Sequence, residues 1–459
     1  MARALELSRP GAPVERRAWD AQRLGAVAVL VVAAPLLAAL YRENPSLGAV
    51  PETLSATLTA HALIRTGEPR LNEYFPKAVP GRLRSYALRF HGDAIYGIEP
   101  LASSLTFAPF LLGYRDVRPA VLDRRGANNG TAARVTALSV VLLGIWLLDL
   151  APIGRALAVT AIIALGTCYR TVVGVALWQH TSATPWLLLG LMLWSRARQT
   201  NVLFPFAGAC LAVATACRPI LVPPALLVVV DAWSSTGLRR MATWATGAIV
   251  AAIGLLALIG NWCLHGSLLG GRADLVSTIA TTHAVPSYFH FSIFNMLGLL
   301  FAPSRGLFPY SPVLLFAAPG LLLCLGSGAS AATVPAPTLR GIGISGILIF
   351  LLYGFIATWW GGWVFGPRYM ADVMPFLALW LALTPLPGHK RPLLAMLFAA
   401  SIVWSIAVQE IGVRTYPCGW NDSPGNIDLT PERLWSLRDT EISRCLARLT
   451  APSGRATHG

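Results

Sequence analysis

Between two long apolar runs the chain reads Trp359-Trp360-Gly361-Gly362-Trp363-Val364-Phe365-Gly366-Pro367-Arg368-Tyr369-Met370-Ala371-Asp372. Glycine lets a backbone approach a ligand closely, and tryptophan belongs at a water–lipid boundary or beneath a sugar ring. An arginine fixed at that depth suits a phosphate better than hydrocarbon. The chemistry offered is capture of a phosphate-bearing ligand by Arg368. Trp363 and Tyr369 are candidates for stacking on a sugar, and Asp372 is the acid expected to orient Arg368. A plainer reading of the same residues is an aromatic belt with one snorkelling arginine.

Two more arginines sit in comparable places. Arg305 lies in a Gly/Pro-rich turn, Ser304-Arg305-Gly306-Leu307-Phe308-Pro309-Tyr310-Ser311-Pro312, and Arg218 in Cys217-Arg218-Pro219 at the end of an apolar run. For Arg218 the competing reading is ordinary snorkelling.

These residues need elements to hold them. The 459 residues are 55% hydrophobic and 12% charged, where a soluble domain carries about 25% charged residues. Apolar runs recur along almost the whole chain and do not alternate, so the fold class is an all-α polytopic membrane protein and not a barrel. Hydropathy places thirteen spans, near 24–41, 101–114, 135–150, 155–168, 170–180, 183–195, 203–217, 221–233, 242–263, 312–326, 341–358, 374–386 and 392–408. The region 155–195 is the least regular, because 170–180 is short and carries Arg170 at its edge.

With the amino terminus inside, eighteen Lys/Arg fall on the cytoplasmic side: five in 1–23, five in 115–134, then Arg170, Arg196, Arg198, Arg239, Arg240, Arg340, Lys390 and Arg391. The short outer loops hold five, Arg155, Arg218, Arg272, Arg305 and Arg368. The positive-inside rule then sets the amino terminus in the cytoplasm and the carboxyl terminus outside. The expected organisation is a basic tail (1–23), a transmembrane domain (24–408) that includes a first outer loop (42–100), and an outer tail (409–459). The net charge of +15 comes with no basic stripe or zinc spacing, so no nucleic acid is expected as partner; the lipid bilayer and its anionic headgroups are. The sequon Asn129-Gly130-Thr131 falls in an expected cytoplasmic loop. No internal repeat is visible, which gives a transporter of inverted halves no support.

The first outer loop is too long for a connector. Pro51-Glu52-Thr53 opens a helical segment from Leu54 to Thr66 that stops at Gly67, so an amphipathic helix lying on the membrane is expected, with Glu52 in its first turn. Glu52 then either caps that helix or does chemistry. Glu43, Glu68 and Glu73 read as solvated acids. Asp93 and Glu99 are secondary candidates, flanking the passage into the next apolar run. His61 and His91 read as surface residues, and no spacing marks a metal site. Among seven cysteines, Cys418 and Cys445 share the tail and could pair in an oxidising compartment, whereas Cys168, Cys210, Cys217, Cys263 and Cys324 read as packing residues.

One span, a large outer loop with an acid near its start, a membrane bundle, and the Arg305 and Arg368 turns together resemble bacterial GT-C glycosyltransferases of the protein O-mannosyltransferase and aminoarabinose-transferase type (glycosyltransferase family 39-like). The resemblance covers essentially the whole chain. It reaches the tail, where Trp420-Asn421, Pro424, Asp428, Pro431, Arg433-Leu434-Trp435 and Asp439 resemble a pattern of uncharacterised members. It implies an enzyme in the bacterial cytoplasmic membrane that takes a sugar from a polyprenyl-phosphate donor at the outer face. The acceptor would be an envelope glycan, lipid or protein. It also implies that Glu52, at the family's acidic position counted back from Gly67, removes the acceptor proton; relatives usually carry Asp there, so the carboxylate is displaced by one methylene. Arg368, Arg305 and Arg218 would bind the phosphate. His180, in Trp178-Gln179-His180, resembles a Trp-x-His corner of these relatives that bonds phosphate or sugar. Some members use a divalent cation; here one strong acidic position is visible, and metal stays open. His265, His283 and His290 lie in a long outer loop that could act as a lid.

Two other functions compete. A transporter or flippase of lipid-linked sugar would share the outer arginines but needs charges within its spans, where only Asp149 and Asp231 occur, near predicted ends. A non-catalytic relative that binds prenyl lipid is kept open by the Glu at position 52.

Overall fold

The computed structural model describes residues 20–43, 50–75, 87–237, 240–272, 288–326, 334–385 and 391–450. Most of the basic tail, His283, Arg239, Lys390 and the last nine residues lie outside these.

The chain is a bundle of α-helices with one small hairpin. In order come α1 (Ala21–Tyr41), α2 (Pro51–Thr66), the strands β1 (Leu88–His91) and β2 (Ala94–Gly97), α3 (Leu101–Phe107, prolonged by tighter turns to Tyr114), α4 (Arg124–Leu150), α5 (Ile153–Gly166), α6 (Gln179–Ala197), α7 (Leu203–Cys217), α8 (Val222–Thr236) and α9 (Met241–His265). Then follow α10 (Ile293–Phe301), α11 (Leu307–Tyr310), α12 (Ala318–Leu325, entered through a turn at Pro312–Ala317), α13 (Ala336–Tyr353), α14 (Met374–Leu383), α15 (Pro392–Thr415) and α16 (Glu441–Thr450). Among the described residues six helical segments are long and apolar enough to cross a membrane, and five shorter apolar ones accompany them.

Contacts between helix ends fix which ends lie together. The Tyr41 hydroxyl donates to Ala164 O, and Asn129 Nδ2 donates to Tyr41 O and to Val175 O. Arg170 reaches Leu40 O, Glu43 and Glu410. The ends of α1 and α5, the start of α4 and the last turns of α15 therefore share one end of the bundle. At the other end Arg196 meets Asp149, and Asp231 receives Arg198, Trp194 and Thr338.

This arrangement overturns two of the thirteen expected spans. Residues 101–114 stay at the first end, where Ser103 Oγ donates to Cys217 O at the end of α7 and Trp186 Nε1 donates to Thr106. Residues 170–180 form one wide turn, Tyr169–Val173, an irregular stretch over 174–178 and only the first two residues of α6. The second run is apolar because it is packed inside protein, while the first buries Phe107 and Leu111 and leaves Leu105 and Leu112 exposed without crossing; runs of about 10–14 apolar residues commonly do not span. Eleven segments of the described residues pass from end to end. Removing two spans keeps the number odd, so α1 enters and α15 leaves at opposite ends.

The segment 115–134 and Arg170, assigned to the cytoplasmic side from sequence, lie instead at the end that receives α1. Asn129 of the sequon is there too, but it is buried within α4. Arg155 moves the other way, its guanidinium donating to Ala382 O at the far end of α14.

The helix expected on the membrane surface, α2, is a core element. Thr53 and every residue from Ser55 to Ala62 are buried, against α3 and the start of α4. Ser55 and Thr57 can turn inward because their hydroxyls donate to the helix's own carbonyls, Glu52 O and Thr53 O. His61 is correspondingly not a surface residue. Its Nε2–H donates to Tyr114 O, which leaves Nδ1 to accept from the Tyr74 hydroxyl.

The tail folds against the same end. Cys418 and Cys445 form a disulfide with Cα atoms 5.1 Å apart. Arg433 donates to Gly425 O, Trp420 O and Ser423 O and lies 4.9 Å from the Trp420 ring. Under non-reducing conditions a membrane-permeant maleimide should label exposed Cys263 and leave Cys418 and Cys445 unmodified; two further labels only after reduction is the expected mass-spectrometric result.

Candidate functional site

Pro51 at the first helical position and Glu52 in the first turn suit a helix start, where a carboxylate faces the positive end of the dipole. Glu52 is partly exposed. Among the described residues no other side chain holds its carboxylate by a hydrogen bond or ion pair. Burial pushes its pKa up from the ordinary value of 4.5, against its own backbone amide, Arg272 and Arg368, with Glu99 adding to the rise. The net direction is upward: a carboxyl that takes a proton more readily than usual, although it feels two guanidinium charges.

Arg368 follows Gly366 in the Trp–Gly turn. Gly361 (φ 77°) allows this turn to fold back, since a Cβ there would lie 3.3 Å from Arg368 Cβ. The guanidinium rests 4.5 Å from the Trp178 ring and 5.2 Å from that of Tyr369. Its Nε is buried with no hydrogen-bond partner, and no carboxylate among the described residues forms an ion pair with it. Asp372, expected to orient Arg368, binds a different arginine.

That arginine is Arg218. Its Nε donates to Asp372, Nη1 donates to Gln179 Oε1 (2.9 Å) and Nη2 donates to the Tyr353 hydroxyl (2.7 Å). Asp372 also accepts from Tyr353 and from His180 Nδ1–H at 2.8 Å. Burial raises the Asp372 pKa, but Arg218 and His180 outweigh it and hold the carboxyl well below the usual range. The group stays ionised and works as a hub, not as an acid. Tyr369 stacks on Tyr353 with centroids 4.9 Å apart. Arg368 and Arg218 pull the Tyr369 proton affinity down against its burial, while neighbouring Tyr288 is pushed up by burial. Trp363 lies half-buried in the same turn.

Glu99, a secondary candidate, is 4% exposed and accepts from Arg272 Nη2 at 2.5 Å. The approach depends on Gly271, where a Cβ would strike Ile98 Cα at 2.7 Å. Glu99 Oε2 and Arg272 Nε are both buried and lack partners. Asp93 stands apart, exposed at the tip of the β1–β2 hairpin.

Arg305 is also elsewhere. Its side chain is fully buried in an ion pair with Glu441, Nη2 donates to Asn421 at 2.7 Å, and the guanidinium lies 5.2 Å from the Trp420 ring. These contacts belong to the tail. Sequence reasoning missed Arg272, Tyr353, Gln179 and Tyr288. The signal for Arg272 was Gly270-Gly271 before it; Tyr353 was hidden inside an apolar run. Among the described residues no group of three or more His, Cys, Asp or Glu is placed to hold a metal.

The site thus gathers Glu52, Arg272 and Glu99 from one side and Arg368, Tyr369, Asp372, Arg218 and His180 from the other. It offers a proton acceptor, two cations with unsatisfied donors, and aromatic faces at one end of a membrane bundle.

The chain matches no protein-family model and no curated protein. Among solved structures, the archaeal oligosaccharyltransferase AglB from Archaeoglobus fulgidus, in complex with an inhibitory peptide and a dolichol-phosphate, is similar at a TM-score of 0.47 with 10% identity. The match covers 91% of this chain and 60% of that one. A likeness this distant assigns no role to any residue.

Proposed function

We propose that the protein is a membrane glycosyltransferase that moves a sugar from a polyprenyl-phosphate donor to an acceptor at the face where its site lies. The acceptor is an envelope glycan, lipid or protein. The observation that supports this most is a Glu52 carboxylate with no side-chain partner among the described residues that feels the charges of Arg272 and Arg368, the latter without a carboxylate partner among the described residues. In the reaction the acceptor oxygen forms a bond to the anomeric carbon as its proton passes to Glu52. The bond from that carbon to the phosphate oxygen breaks, and its electron pair leaves with the phosphate. Arg368 is the group to meet that growing charge, and Arg272 is a second. The GT-C-like motifs of the sequence support the same reading.

The charge distribution supports an outward-facing site. Among the described residues Arg23, Arg155, Arg196, Arg198, Arg240, Arg340 and Arg391 lie at the opposite end, and in the sequence four more Lys/Arg precede Arg23, with Arg239 next to Arg240 and Lys390 next to Arg391. The shorter connections at the site end hold Arg170, Arg218, Arg272, Arg305 and Arg368. By the positive-inside rule the site faces away from the cytoplasm, with the amino terminus inside and the tail outside. In a bacterium that is the cytoplasmic membrane with a periplasmic site. Against the transporter reading, Asp149 and Asp231 are both paired to arginines at the opposite end, not placed along a path through the bundle.

The test is transfer of radiolabelled sugar from synthetic undecaprenyl-phosphate sugars to envelope fractions by the purified protein. Failure with every donor while the fold is intact would remove the enzymatic reading. Arg368→Ala should raise the donor KM by about 10- to 100-fold, the worth of a charge-assisted bond, and an unchanged KM would exclude it from the phosphate. Because Glu52 must lose its proton to act and its pKa is raised, kcat/KM should climb with pH through a value above the ordinary 4.5. An acid limb at or below 4.5 would point to another base.

A further inference from the structure

The tail carries a buried carboxylate that the proposed chemistry does not use. Glu441, at the start of α16, has no exposed surface. Its Oε2 accepts from Arg305, from the Tyr310 hydroxyl at 2.8 Å, and from the backbone N–H of Gly366 at 3.2 Å. Gly366 is two residues before Arg368, whose own N–H donates to Gly366 O at 3.0 Å. The glycine has φ 82°, and a Cβ there would sit 2.8 Å from the Tyr310 ring. The same turn meets the tail twice more. Trp360 Nε1 donates to Asp428 at 2.8 Å, and Trp359 packs on Trp435 with centroids 6.2 Å apart.

Glu441 is in turn anchored on its own side. Its N–H donates to Ser304 Oγ at 3.3 Å, and the disulfide between Cys418 and Cys445 closes the first turns of α16 onto the segment that follows α15. The tail is therefore not an appendage. It is a strut whose buried Glu441 carboxylate grips the main chain of the Arg368 turn.

We infer that Glu441 is a positioning residue: through the Gly366 amide it holds the Arg368 turn in its phosphate-facing geometry, and the disulfide keeps α16 seated so that it can. A positively charged turn with three glycines of positive φ, Gly361, Gly362 and Gly366, has little rigidity of its own. Its fixity must come from what it binds. The inference rests on the proposed role of Arg368, but its structural half does not.

Removing Glu441 alone leaves Arg305 buried without a counter-charge and could unfold the protein. The decisive variant is therefore Arg305→Met with Glu441→Met, which removes both charges at similar volume. Hydrogen exchange should quicken at Gly366–Tyr369 with the midpoint of thermal unfolding unchanged, and affinity for undecaprenyl phosphate in detergent should fall about 10-fold. The Cys418→Ser, Cys445→Ser protein should show the same two changes more weakly. With a donor sugar, KM should rise and kcat stay within about 2-fold, since Glu52 is untouched. Unchanged exchange at Gly366–Tyr369 would overturn the strut whatever the ligand is. Faster exchange with unchanged prenyl-phosphate affinity would overturn the link to the phosphate. If Arg368→Ala itself leaves that affinity unchanged, it is the functional reading that fails, and the exchange result still decides the strut.

Discussion

Glu52→Gln should lower kcat by about 10²- to 10⁴-fold, the usual worth of a positioned general base, while leaving the donor KM and the unfolding temperature near those of the parent protein. The amide keeps the shape of the side chain but cannot take the acceptor proton. No loss of fold is expected, because no other described side chain bonds to the carboxylate. The substitution should even relieve the burial that raises its pKa, and a small gain in stability at neutral pH is the expected sign. A carboxyl with a raised pKa favours the fold below its ordinary value, and that contribution fades as pH climbs through the raised one. Glu52→Asp is the informative companion. It keeps a carboxylate but withdraws it by one methylene, so partial activity would tie the rate to reach. Full activity in the Gln variant would end the role of Glu52 as base.

The membrane class and the direction of most helices were legible because long apolar runs have few other uses. What hydropathy cannot distinguish is apolar for lipid from apolar for protein. Leu101–Tyr114 and 170–180 look like spans by composition, yet one covers the ends of its neighbours and the other packs around a buried Arg170. The same confusion in reverse hid α2, which reads as an amphipathic helix on the membrane and in fact buries Thr53, Thr57 and Thr59. Among the arginines, a Gly/Pro-rich turn marks a cation held by backbone but not what it is held for. Arg305 and Arg368 have near-identical settings in the sequence. Only the position of Glu441, 136 residues beyond Arg305, separates a structural ion pair from an unpaired cation. Glu52, by contrast, feels the charge of Arg368 although 316 residues separate them in the sequence. Arg272 could not be weighed, because its partner Glu99 lies 173 residues away.

Asp372→Ala should be the most destabilising single change at the site. Asp372 is 2% exposed, and its carboxylate receives Arg218 from just beyond α7, His180 from α6 and Tyr353 from α13. Its removal strands the Arg218 guanidinium, whose side chain is 12% exposed, in a region with no second carboxylate paired to it among the described residues. Breaking one partner of such a pair costs about 3–5 kcal/mol, a large part of the stability of an ordinary fold. The effect should differ in kind from that of Glu52→Gln: thermal unfolding in detergent should fall sharply, with activity lost only in proportion to folded protein. Removing both charges, as Arg218→Met with Asp372→Leu, should cost less than Asp372→Ala alone, because no charge is then left buried without its counterpart. A non-additive coupling of about 0.5–3 kcal/mol is expected from residues in direct contact. Additivity would mean that Arg218 is satisfied by Gln179 and Tyr353 without Asp372. If Asp372→Ala instead folds as well as the parent but transfers no sugar, the carboxylate acts on the substrate and not on Arg218. The acid in the Trp–Gly–Arg turn would then share the chemistry with Glu52.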